Sequence, residues 1–315
     1  MKKNTIIYAI VGLYCISLLI SLTMLFTKKP LISQKPRQAL ASMNPSSPKQ
    51  AIAIIEVVGP IQMGQSPSRF MSYDAQSIVK KLRIFGAKPE IKAIILRINS
   101  PGGSVAAVQE IYSEIMKQRK ENKKIIVASM SDVAASGGYY IAAACDKIVA
   151  DPGTLTGSIG VIMELGNASE LFRKIGVKME TIKSGKHKDS GSMFRTMTYE
   201  ERKMFQALIN EAYGQFVDAI VEGRKMDKQK VLQLADGRVY IGSQALSLGL
   251  IDKLGNDQAA IDLAKQLAGI KGEVKVVTEN DPWERVFSMF GGADSKLPFQ
   301  DLVSHSKVRF EYMLE

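Results

Sequence analysis

The chain has 315 residues, 46% hydrophobic and 23% charged, an ordinary globular balance with room for one large domain or two small ones. Its formal net charge of +11 is unevenly placed, because seven lysines and arginines precede the first acid, Glu56, and without them only +4 remains. No basic stripe interleaved with aromatics occurs after it, which argues against a nucleic-acid reader. Two cysteines rule out a disulfide framework, and two histidines with no HExxH or CxxC leave zinc without ligands, so no metal or cofactor is expected.

Residues 6–26 carry no charge. At 1.5 Å per residue they span about 30 Å, enough to cross a bilayer. The small-x-small sequence Ala39-Leu40-Ala41 lies too far on to serve as a signal-peptide cleavage site, and Tyr14 before Cys15 is too bulky for a lipoprotein site. Residues 1–29 are therefore expected to be a short tip and an uncleaved membrane anchor. Lys28, Lys29, Lys35 and Arg37 outnumber Lys2 and Lys3, so the positive-inside count weakly favours a cytoplasmic domain. Pro30, Pro36, Pro45 and Pro48, with Ser and Gln between them, mark 30–50 as an extended linker.

From residue 51, strand and helix patterns alternate. Apolar runs at 51–58, 93–98, 125–128, 147–150, 160–163, 179–182 and 273–277 predict strands. Helical spacing is found at 74–85, 104–119, 168–175, 198–224, 228–234, 243–248 and 258–267. Thr198 and Glu201 fit a capping box. Near-continuous apolar strands alternating with helices predict an α/β domain over 51–270 with largely parallel sheet, then a late strand and a less regular tail over 271–315.

Two stretches carry chemistry. Ser136 comes after a strand-like run and opens an Ala-rich helical segment, with Gly137 and Gly138 directly after it. A serine there can cap the helix, or it can be presented as a nucleophile at the positive helix end. Asn99-Ser100-Pro101-Gly102-Gly103-Ser104 lies at another strand–helix junction, as a tight turn or as a source of backbone N–H groups for an oxyanion. A serine nucleophile needs a base. His305 lies in the irregular tail. His187 sits in a loop with Lys183, Lys186, Lys188 and Asp189, so both a histidine and a lysine base are open. A lysine serves only when desolvation or nearby positive charge lowers its pKa.

Asn99–Gly103, Asp132–Tyr140, the stretch Thr154-Leu155-Thr156-Gly157-Ser158-Ile159-Gly160-Val161 and the loop Lys183–Lys188 occur in this order, with Asp236-Gly237-Arg238-Val239-Tyr240-Ile241-Gly242 further on. Over about residues 51–270 this pattern resembles bacterial signal peptide peptidase A, a membrane-anchored serine–lysine protease family of the Clp-protease/crotonase fold with repeated β-β-α units. The resemblance implies Ser136 as nucleophile, Lys188 as general base, Ser158 orienting that base, and the N–H groups of Gly103 and Gly137 as oxyanion hole. His187 would be a neighbour without a catalytic role. It further implies a homo-oligomeric ring that shares sites between protomers, and a catalytic domain on the extracytoplasmic side of the inner membrane. The expected substrates are cleaved signal peptides and other hydrophobic peptides. After Lys188 this chain reads Asp189-Ser190-Gly191-Ser192-Met193, where relatives often carry a proline. The alternative is a non-proteolytic crotonase-type protein, acting on acyl thioesters or as a scaffold, which would not need the Ser136/Lys188 pair.

Overall fold

The structure, a computed structural model, describes residues 50–64, 74–278 and 311–313. In chain order its elements are β1 (Ala51–Val58), α1 (Ala75–Ala87), β2 (Ile91–Ser100), β3 (Gly102–Ser104), α2 (Val105–Glu121), β4 (Ile125–Ala135), α3 (Gly137–Ala143), β5 (Lys147–Ala150), β6 (Leu155–Gly157) and α4 (Ser169–Lys174). Next come α5 (Tyr199–Arg224), α6 (Lys228–Leu234), β7 (Val239–Ile241), α7 (Gly242–Leu248), β8 (Lys253–Leu254), α8 (Asp257–Leu267), β9 (Lys275–Thr278) and β10 (Glu311–Met313).

The sheet runs β7-β6-β4-β2-β1-β9, with β5 also on β4 and β8 on β5. Every pair is parallel except β6–β7. This mixed α/β sheet is consistent with a Clp-protease-like fold. The central strands are apolar on both faces because both faces are covered. Successive strand residues point to opposite sides. Ile52, Ile54, Ile95 and Val127 pack with Ala260 and Ala264 of α8, while Ala53, Ile55, Ile94 and Leu96 join the larger core built with α1, α2, α3 and α5.

The start of α5 is capped as its sequence suggests. The Thr198 hydroxyl accepts from the Glu201 N–H, and the Glu201 carboxylate accepts from the Thr198 N–H. At the far end of α5, Arg224 and Lys147 both pair with Asp252, tying the helix to β5. Burial pushes the Asp252 carboxyl up, but these two cations more than offset it and hold it below its ordinary value.

Several sequence expectations are corrected. Residues 160–163 do not form a strand. The strand lies just upstream at Leu155–Gly157, and the positive φ of Gly157 (79°) and Ser158 (48°) turns the chain out of it. Residues 179–182 pair with no strand among the described residues, and Ile182 is 98% exposed. β4 runs on past residue 128 to Ala135. The expected anchor at 6–26 lies outside the described residues, as does His305. Among the described residues no helix is long and apolar enough to cross a membrane.

Candidate active site

β4 ends at Ala135 and α3 begins at Gly137, so Ser136 alone makes the turn. Its backbone sits at φ 52° and ψ −117°, a region that side chains larger than glycine's rarely adopt. Two hydrogen bonds hold it there: its N–H donates to the Gly157 carbonyl at 2.8 Å, and its carbonyl accepts from the Tyr140 N–H at 2.9 Å. The side chain does not cap the helix. Ser136 is buried, and its Oγ has no hydrogen-bond partner among the described residues. A buried hydroxyl normally finds one, so this Oγ stands open to a partner that the described residues do not supply.

Small residues let three backbone segments close around that turn. A Cβ at Gly138 would stand 2.8 Å from the Ser100 carbonyl, so α3 can pack against the end of β2 only with glycine there. A Cβ at Gly103 would stand 1.9 Å from the Ile61 carbonyl. That is the contact made by β3, whose Gly102 carbonyl and Ser104 N–H both bond Ile61. Gly102 turns at φ 108°, and its N–H donates to the buried Ser100 hydroxyl at 3.1 Å. Gly137 is the first helical residue, so its N–H has no acceptor within the helix. Ser158 is buried beside the turn. Its N–H donates to the Arg238 carbonyl, and its own peptide link to Gly157 is the one Ser136 binds. Thr154 and Thr156 donate their hydroxyls to the Ser131 and Ala134 carbonyls, fixing β6 against β4.

The structure thus brings Ser136, Gly137, Gly103 and Ser158 to one place. It does not bring Lys188 or His187 to hydrogen-bond Ser136. Lys188 lies in an exposed turn, its N–H donating to the Gly185 carbonyl at 3.1 Å. The side chain after it is anchored firmly. Asp189 accepts from Arg195 at 2.9 Å and from Lys183, and Arg195 also reaches Glu201 at 2.9 Å. Those bonds, from Arg195 first and then Lys183, hold the Asp189 carboxyl far below its usual range. Arg195, with the Thr198 N–H, does the same for Glu201. Sequence reasoning missed Arg195 and Gly138. Nothing in the sequence singles out Arg195, which is apparent only once the loop folds onto the start of α5. Gly138 is visible in the glycine pair after Ser136, but its contact with Ser100 is not.

Comparison with known proteins supplies the context. The model of peptidase family S49 matches residues 117–271, and the Clp protease model matches residues 61–153. A Synechocystis sp. protein provisionally named a protease is 42% identical over 253 residues, covering 80% of this chain and 87% of that protein. A protein of Enterococcus faecium, provisionally named signal peptide peptidase SppA, is 39% identical over 66% of this chain and 60% of its own length. The chloroplastic serine protease SPPA of Arabidopsis thaliana is 41% identical over 72% of this chain, which spans only 34% of that protein.

Proposed function

The chain belongs to peptidase family S49 and is a serine endopeptidase, and from that premise we propose that Ser136 is its nucleophile and Lys188 its general base, contributed by a neighbouring copy of the chain. The observation that carries this is the state of Ser136: strained, buried, at a helix start, with an Oγ that no described group of its own chain engages. In the proposed reaction a neutral Lys188 takes the Ser136 proton as Oγ attacks a peptide carbonyl. The oxyanion rests on the N–H groups of Gly103 and Gly137, the amine leaves with the proton, and water then cleaves the acyl ester. Ser158, beside the turn, orients the lysine.

Donation from a second copy is supported by two features. The Lys188 side chain has no hydrogen-bond or ion-pair partner among the described residues. The segment carrying it also displays apolar side chains, among them Leu171, Ile175, Met179 and Ile182, as a surface for another subunit. A ring of such copies, each held by a 6–26 anchor with its domain on the extracytoplasmic side, suits hydrophobic peptides such as signal-peptide remnants. Long domains translocate largely regardless of flanking charge, so the charge count is no obstacle. The repeated β-β-α units of the Clp-protease/crotonase fold are part of the same proposal, and it calls for no cofactor. A thioester-handling or scaffold role would leave the Ser136 geometry without a purpose. A fluorophosphonate probe decides the matter: it should label Ser136 in the wild-type chain and nothing in Ser136→Ala. A folded wild-type chain that resists labelling overturns the proposal.

A further inference from the structure

Asp236-Gly237-Arg238 forms the turn between α6 and β7, and the proposed reaction leaves it without a role. Two backbone bonds join this turn to the chain leaving β6, just beyond the last ladder pair, Gly157 with Val239. The Ser158 N–H donates to the Arg238 carbonyl at 2.8 Å, and the Gly237 N–H donates to the Ile159 carbonyl at 3.1 Å. In a regular antiparallel ladder a facing pair such as Ser158 and Arg238 would exchange both of its bonds. Here the return bond goes elsewhere: the Arg238 N–H donates to the Asp236 carboxylate at 3.1 Å. The same carboxylate takes Arg238 Nε at 2.8 Å and pairs with its Nη2. Asp236 thus holds the N–H that would otherwise bond the Ser158 carbonyl and keep that residue extended. Released from the ladder, Ser158 stands at φ 48°, a left-handed backbone that serine seldom adopts.

The peptide unit between Gly157 and Ser158 faces two ways. Its carbonyl accepts from the Ser136 N–H at 2.8 Å, and its N–H is the one held by Arg238. On the role proposed for Ser158, we infer that Asp236 is a positioning residue of the peptidase reaction, acting through Arg238 on the Ser158 backbone. Asp236 touches neither nucleophile nor base. Without its carboxylate the Arg238 N–H is free to bond the Ser158 carbonyl, Ser158 becomes extended, and its hydroxyl swings away from the base. The Asp236–Arg238 pair is exposed, and exposed pairs add little to global stability, so the device is tuned to geometry and not to folding.

The test is kcat and KM of the purified full chain on a fluorogenic peptide, read beside the melting temperature. Asp236→Ala should lower kcat about tenfold at unchanged KM, the cost of a misplaced catalytic group, with wild-type melting. Asp236→Asn keeps an acceptor for the Arg238 N–H and should recover most of that loss. In a chain already carrying Ser158→Ala, adding Asp236→Ala should cost less than about twofold more, because the hydroxyl it positions is gone. Wild-type kcat in Asp236→Ala, a change in KM alone, or a full tenfold loss on top of Ser158→Ala overturns this inference. A melting temperature that falls together with kcat also overturns it, since Asp236 would then serve the fold. Wild-type kcat in Ser158→Ala overturns the role proposed for Ser158 as well.

Discussion

At Ser136 the backbone is held where a non-glycine residue sits at a cost of about 1–3 kcal/mol. The Gly157 carbonyl and the first turn of α3 sustain it. A cap would have lowered the energy of the helix start, whereas this serine keeps its hydroxyl unspent. The base can be tested at the same scale. Lys188→Ala should lower peptidase turnover by about 10²–10⁴-fold, the usual contribution of a general base, and His187→Ala should leave it within about twofold. An inactive but folded His187→Ala chain would reassign the base.

Among the elements, the turn of 183–190 depends on a helix it precedes. Arg195 clamps Asp189 to Glu201, and Glu201 is itself part of the capping box that starts α5. Both carboxyls are depressed, so the clamp is complete at neutral pH and is lost only as acid protonates them. Arg195→Gln should therefore lower kcat by about tenfold with little change in KM, because a misplaced base slows chemistry without weakening peptide binding. Arg195→Lys should rescue only part of that loss, since the planar two-sided grip is gone. A change in KM alone would show that the clamp shapes the substrate groove instead. The clamp also marks where sequence stops being legible. Central strands such as Ala51–Val58 are readable because unbroken apolar runs admit few alternatives, and the Thr198/Glu201 box because its spacing is local. Residues 160–163 and 179–182 mislead for the same reason: they are apolar runs with the look of strands, but glycine turns or the lack of a neighbouring edge prevent pairing. The three-residue strands β3, β6 and β7 are too short to carry a period and are defined only by their partners. Ser136, Gly103, Gly137 and Ser158 can be named because motifs mark them. Their convergence depends on Ile61, Ser100 and Arg238, whose contacts no motif reveals.

On the scale of the whole molecule, a base proposed to come from a second copy predicts complementation, since no described residue of the same chain hydrogen-bonds Ser136 Oγ. Ser136→Ala and Lys188→Ala chains should each be inactive. Co-expressed, they should recover roughly a quarter of wild-type sites if subunits meet head to tail around a ring. Peptidase activity of the co-purified mixture measures this, and a mixture as inactive as its parents would mean that one chain forms the dyad alone. With Gly103 as a proposed oxyanion donor, a substrate must reach β3, which β10 already pairs. A strand of the same chain competes at an effective concentration set by its connection and not by bulk supply. On the proposed function, a free peptide would therefore enter only by the excess of its affinity over the resident strand's.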